Sequence, residues 1–137
     1  MIANTDKDKL IARLLVVDDD PDIVQVLKLA LSKNRFLVDA YTNPKEALQN
    51  FESNAQSYDL VLSDNWMHSL SGIQLAKKVK EANPNVKVLL LTGVEITDNE
   101  FSEAAPSASV VDDFIQKPIR IKDLTNKILS LIGKTEG

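Results

Sequence analysis

The sequence predicts an α/β fold in which a five-stranded parallel sheet is wound on both faces by helices, and three observations carry that expectation. Short runs rich in β-branched residues and leucine alternate with helix-length amphipathic stretches between Arg13 and Gln116, the pattern of a parallel sheet covered on both sides. The runs number five, a usual sheet size. A chain of 137 residues has the length of one domain with a core of its own.

Strands are expected at Leu14–Val17, Leu37–Tyr41, Leu60–Ser63, Val88–Leu91 and Phe114–Gln116. The first helix begins at Asp20-Pro21-Asp22, where an aspartate N-cap precedes proline at the first helical position. Ile23, Val26, Leu27 and Ala30 then share one face. The second opens on Asn43-Pro44-Lys45-Glu46 and turns Ala47, Leu48 and Phe51 inward. The third opens on Ser71-Gly72-Ile73-Gln74, a capping box, and buries Ile73, Ala76 and Val79. A last helix runs from Ile121 to Ile132, with Ile121, Leu124, Ile128 and Leu131 on one stripe. Between Val94 and Val111 the pattern weakens, and Pro106 stops any helix begun near Asp98. A short helix and a long loop are expected there, an atypical fourth helix region. Residues 1–12 and 133–137 read as polar tails around a domain spanning 13–132.

Sixteen Lys and Arg stand against twenty Asp and Glu, a formal net charge of −4, which argues against a surface for nucleic acid or anionic membrane. With no cysteine, no disulfide, thiolate nucleophile or cysteine-ligated metal is available. The single His68 excludes a histidine-rich zinc site. Four glycines leave no glycine-rich phosphate cradle, and Gly133-Lys-Thr135 lacks the upstream glycine and strand of a P-loop. The N-terminus is too polar for a secretory segment, and no apolar run approaches a membrane span. The expectation is a cytoplasmic protein whose chemistry uses carboxylates, hydroxyls and amines.

A doubly wound sheet places its ligands beyond the carboxyl ends of the strands, where the strand order reverses. Four of the five predicted strand ends carry polar groups there: Asp18-Asp19-Asp20, Asp64, Thr92-Gly93 and Lys117-Pro118. Each alone has an ordinary reading: the triplet as a helix cap, Asp64 as a turn carboxylate, Thr92 as a strand residue, Lys117 as a solvated lysine before a turn. Their joint placement says more. If the first and third strands are neighbours, Asp18, Asp19 and Asp64 crowd negative charge in a way that calls for a cation. Oxygen donors without His or Cys select a hard ion, and few carboxylates with open positions suit Mg²⁺. Lys117 and Thr92 then offer an ammonium and a hydroxyl to phosphoryl oxygens, beside a carboxylate able to become an aspartyl phosphate.

Four segments together, Leu14-Leu-Val-Val-Asp-Asp19, Tyr58-Asp-Leu-Val-Leu-Ser-Asp64, Leu91-Thr-Gly93 and Phe114-Ile-Gln-Lys-Pro118, make the chain resemble the receiver domain of two-component response regulators. The resemblance covers nearly the whole chain and implies a flavodoxin-like strand order of 2-1-3-4-5. It implies that Asp64 is the phosphoacceptor, that Asp18, Asp19, Asp64 and the backbone carbonyl of Trp66 hold Mg²⁺, and that Thr92 and Lys117 bind the phosphoryl group. It also implies a cis Lys117-Pro118 bond, a small residue at Gly93 that admits the phosphoryl group, and a glycine at Gly72 for the turn into the third helix. Phe114 is the expected switch ring, moving with Thr92 on phosphorylation; its alternative role is a plain strand-core aromatic.

The chain departs from the family in several places. His68 stands where proline is usual and reads as a solvent-exposed loop histidine. Trp66 and Val94 are apolar at positions that flank the path of an attacking water, which predicts slow loss of the phosphoryl group. The stretch between Thr92 and Lys117 is longer than usual and has Val110 where glycine is common, so the family's usual output face is not assumed. Ile119, with Pro21 and Ile23, forms either a docking patch for a phosphodonor or ordinary packing.

The function expected from the resemblance is a phosphorylation-dependent switch. It takes its phosphoryl group from a sensor histidine kinase or histidine phosphotransfer protein, and catalyses its own phosphorylation and dephosphorylation without turning over a metabolite. The output partner is unspecified, and a phosphorylation-dependent homodimer is one form of output. Two alternatives stand: a pseudo-receiver that serves as an interaction module, and a Mg²⁺-dependent aspartyl-phosphate phosphohydrolase. The second lacks an acid two residues after the nucleophile, where Trp66 sits, and the chain has no room for a sizeable substrate cap. Direct DNA binding is not expected, because no basic patch or recognition helix is present.

Overall fold

The computed structural model describes residues 10–93 and 110–133. Its elements are β1 (Ala12–Val17), α1 (Pro21–Lys33), β2 (Phe36–Tyr41), α2 (Pro44–Ser53), a 3₁₀ turn (Ala55–Ser57), β3 (Leu60–Asp64), α3 (Gly72–Ala82), β4 (Lys87–Thr92), β5 (Asp113–Gln116) and α4 (Ile121–Ile132). The strands pair in parallel in the order β2-β1-β3-β4-β5, so the order reverses between β1 and β3. This is the doubly wound arrangement expected. The short helix and loop expected between Val94 and Val111 lie almost wholly outside the described residues.

Alternate residues of each strand feed two separate cores. Leu14, Val16, Leu60, Leu62, Leu89 and Leu91 pack with Leu27 and Leu31 of α1 and Leu124 and Ile128 of α4. Leu15, Val17, Val61, Val88 and Leu90 pack with Ala47 and Phe51 of α2 and Leu75, Ala76 and Val79 of α3. Each fully buried Leu or Phe contributes roughly 1.5–3 kcal/mol relative to exposure. The central strands are therefore the rigid part of the molecule and the natural support for a site at their ends.

Each ladder runs one or two residues further than the apolar runs suggested. The difference matters at the carboxyl ends: Asp64 and Thr92 are the last residues of β3 and β4, held by the sheet rather than carried on loops. Polar residues join strands when neighbouring strands supply their hydrogen bonds, a non-local effect that hydropathy does not register.

The helix starts follow the capping signals. Asp20 accepts a hydrogen bond from the Asp22 N–H, Asn43 from those of Lys45 and Glu46, and Ser71 and Gln74 close a reciprocal capping box. The buried face of α1 is a correction. It consists of Val24, Leu27 and Leu31, while Val26 is 58 % exposed and Leu29 54 %. The apolar arc of this helix is wider than the face the sheet covers, and the helix docks on one edge of that arc. In α3, Leu75 is fully buried and Ile73 only half so, a rotation of similar kind.

Two side-chain clusters tie the layers together. The Arg13 guanidinium meets Asp39 through Nε at 2.9 Å and Nη2 at 2.7 Å, and lies 4.4 Å from the centre of the Tyr58 ring. The Tyr58 hydroxyl donates to Asp39 at 2.6 Å and accepts from Asn50. At the other side of the sheet, Asp112 accepts from the Val88 N–H at 2.7 Å and pairs with Lys80 of α3 at 2.9 Å. Its neighbour Asp113 pairs with Lys127 of α4 at 2.9 Å.

Candidate functional site

Register alone assembles the polar strand ends. Val17 is paired with Ser63, Asp64 with Leu91, and Thr92 with Gln116, so Asp18 falls beside Asp64 and Lys117 one step past Gln116. The result is a cluster in which Asp18, Asp19 and Asp64 each present an oxygen within 4.8 Å of the others. Asp18 and Asp64 are buried and Asp19 half-buried. The Lys117 ammonium reaches in from the turn after β5, 3.2 Å from Asp18 Oδ2 and 3.6 Å from Asp64 Oδ1. The Lys117-Pro118 peptide bond is cis, as expected.

Three carboxylates faced by one ammonium leave a local excess of negative charge. At an effective dielectric of about 20, two unit charges no more than 4.8 Å apart repel by at least about 3 kcal/mol. Asp64 registers the strain. Burial first, then the Asp18 carboxylate, push its carboxyl above the ordinary value, and Lys117 and the backbone N–H groups of Trp66 and Asn65 only partly offset this. A hard divalent cation fits these donors, which are all oxygen and partly open to solvent through Asp19.

The remaining sequence-predicted residues fall around this centre. Thr92 is 3 % exposed at the end of β4. Among the described residues, nothing lies within 4 Å of where a Cβ on Gly93 would stand. Phe114 is half-buried and packs with the α2–α3 core, on the same sheet face as Thr92. Trp66 is 65 % exposed. Asp20 only caps α1. Val94 lies outside the described residues.

Gly72 has a sharper requirement than a turn. A Cβ there would stand 2.6 Å from the Asp64 carbonyl oxygen, 2.9 Å from Asn65 Cα and 2.9 Å from Leu90 Cδ2. The first turn of α3 thus presses directly on the backbone of Asp64, and the Gly72 N–H donates to the Asn65 carbonyl at 3.0 Å.

Two features had no sequence signal. His68 is exposed, as expected, but its Nδ1 lies 2.8 Å from Asp19 Oδ2, and its backbone N–H donates to the same oxygen at 3.3 Å. This contact spans 49 residues of chain. Ser69 holds a positive φ of 69°, which turns the loop back after the site.

Known proteins resolve what this arrangement is. The response regulator receiver domain family matches residues 14–129. The receiver protein CpdR of Brucella abortus is 30% identical over 121 residues, which cover 88% of this chain and 96% of CpdR. Other curated relatives are longer, and the chain spans between 8% and 53% of their lengths. A receiver domain protein from Clostridium thermocellum superposes with a TM-score of 0.80 at 29% identity, covering 90% of this chain and 95% of that one. TrrA of Thermotoga maritima gives 0.75 at 31% identity, covering 88% and 99%, and was solved with Mg²⁺–BeF and also with the histidine kinase ThkA. With its sheet order, its acidic cluster and a family match over most of its length, the chain belongs to the response regulator receiver domains of two-component systems.

Proposed function

We propose that Asp64 accepts a phosphoryl group and that the protein acts as a phosphorylation-dependent switch in the cytoplasm, carried by a domain spanning 13–132. The observation that carries this reading is the cluster of three carboxylates around one lysine at the switch point of the sheet. TrrA, similar over nearly its whole length, binds Mg²⁺ with a phosphoryl mimic and docks with a histidine kinase, which supports the same chemistry here. The donor is accordingly a phosphohistidine on a sensor kinase or phosphotransfer protein.

In that reaction an Asp64 oxygen attacks phosphorus, and the bond from phosphorus to the donor nitrogen breaks with its electron pair passing to the imidazole. Asp18, Asp19, Asp64 and the Trp66 carbonyl are the residues that would hold Mg²⁺, which when bound offsets charge on the phosphoryl oxygens. Lys117 leaves its pairing with the carboxylates to meet a phosphoryl oxygen, and Thr92 donates its hydroxyl to another. Phe114 follows Thr92 inward on the α2–α3 face. Among the described residues no helix is long and apolar enough to cross a membrane.

The test is the intact mass of the protein after incubation with Mg²⁺ and acetyl phosphate or phosphoramidate. A single phosphate adduct that needs both Mg²⁺ and Asp64 is expected. An adduct that survives Asp64→Ala, or none from either a small donor or a phosphorylated histidine protein, would overturn the reading.

A further inference from the structure

Asn65 is the residue after the acceptor, and its backbone is fixed from both sides. Its N–H donates to the Leu91 carbonyl at 3.0 Å, extending the β3–β4 ladder by one step, and its carbonyl accepts from Gly72. Its side chain is placed differently. Asn65 is 9 % exposed, and its Oδ1 is fully buried with no hydrogen-bond partner among the described residues. Among the described residues one other buried side-chain atom shares that condition, Thr125 Oγ1 in α4.

The register identifies the neighbour. Asp64 is paired with Leu91, so Asn65 stands opposite Thr92. Strand alternation puts Thr92 on the α2–α3 face with Val88 and Leu90, and continuing the β3 alternation one residue past Asp64 puts Asn65 on the face of Val61. Thr92 is itself 3 % exposed. A buried acceptor with no donor thus lies across one strand spacing from a buried threonine, whose hydroxyl carries one proton and can give it to one acceptor at a time.

We propose that Asn65 is a positioning residue for Thr92, its Oδ1 competing with the phosphoryl oxygen for the Thr92 hydroxyl proton. A rotation about the Thr92 side chain closes the bond to Asn65 in the unphosphorylated protein, and phosphorylation breaks it when the hydroxyl turns to the phosphoryl group. Asn65 thereby sets how far the threonine resists the switch. The proposal rests on the phosphoacceptor reading above.

The test is a thermodynamic cycle on the binding of beryllofluoride with Mg²⁺, a phosphoryl mimic that forms no covalent ester, read by fluorescence of the single tryptophan, Trp66. Wild type, Asn65→Leu, Thr92→Val and the double variant are compared. Removing the competing acceptor tightens binding by about fivefold, the size of one net hydrogen bond. The same change in the Thr92→Val background has no effect, because the proton in contention is gone. Asn65→Ala serves in place of the leucine if the larger side chain prevents folding. An equal effect in both backgrounds marks a purely structural role and overturns the proposal, as does unchanged or weaker binding in Asn65→Leu. If wild type itself fails to bind beryllofluoride, the phosphoacceptor reading falls and this one with it.

Discussion

Replacing Gly72 with alanine tests whether α3 seats the backbone of Asp64, the proposed acceptor. The added Cβ would lie 2.6 Å from the Asp64 carbonyl oxygen, where ordinary contact begins at 3.4 Å and real Cβ atoms essentially never come within 3.0 Å. The helix or the strand end must therefore separate by about 0.4–0.8 Å. Two of the three opposing atoms are backbone, so no rotamer change relieves the overlap. Overpacking of this kind costs about 1–3 kcal/mol. The helix preference of alanine over glycine returns at most about 1 kcal/mol, less at a first helical position. The net expectation is a loss of about 1–2 kcal/mol in urea unfolding with an unchanged denaturant dependence. Because the displaced atom belongs to Asp64, the phosphorylation rate by acetyl phosphate should fall by more than the stability loss explains, on the order of tenfold or greater. A Gly72→Ala protein that is as stable as wild type and phosphorylated at the same rate would refute the reasoning.

The Asp64 carboxyl is raised by burial and by Asp18, so the folded, metal-free protein holds this proton more tightly than the unfolded chain. Its contribution is fully present below the ordinary carboxylate value and is lost as pH rises through the raised one. Thermal melts in chelator should therefore show Asp64→Asn gaining on wild type as pH rises across that interval; parallel pH profiles would contradict it. Tyr58 is pushed up to about 12, chiefly by burial and then by its bond to Asp39, and ultraviolet titration should find it protonated through pH 10. Tyr58→Phe leaves Asp39 and Asn50 short of one partner each and should cost about 1–2 kcal/mol in chemical unfolding; a neutral result would show that the cluster contributes nothing. Trp66→Asn should hasten loss of the phosphoryl group by admitting and orienting water, seen as a shorter lifetime of the adduct by mass; an unchanged lifetime would mean that the exposed ring shields nothing.

Most of the site was legible before the fold was known, because its parts are local signals repeated at strand ends. Asp18, Asp64, Thr92 and Lys117 each follow directly on an expected strand, and a doubly wound sheet brings such ends together whatever the loops do. The helix starts were legible for a similar reason, since a cap is written in three or four adjacent residues. What escaped depends on contacts remote in sequence. Periodicity shows that α1 has an apolar arc but not which edge of it faces the sheet, hence the misplaced Val26. The Arg13–Asp39–Tyr58 cluster and the His68–Asp19 pair join residues 19 to 49 positions apart, and no pattern along the chain marks them. The side-chain oxygen of Asn65, without a partner among the described residues, is a property of packing alone.

The paired aspartates at the start of β5 have a mechanical consequence. Asp112 is tied to α3 and Asp113 to α4, so the final strand is laced to the helical layers on opposite faces of the sheet. It behaves as a crossbeam between them. Since the strand also carries Phe114 and leads directly to Lys117, tension introduced at the lysine is delivered to both layers together, and a binding partner seated on either one pulls against the same beam. Salt slackens such lacing by screening its half-exposed ends, which makes the ionic strength of the surroundings a setting on how stiffly the two sides of the molecule are coupled.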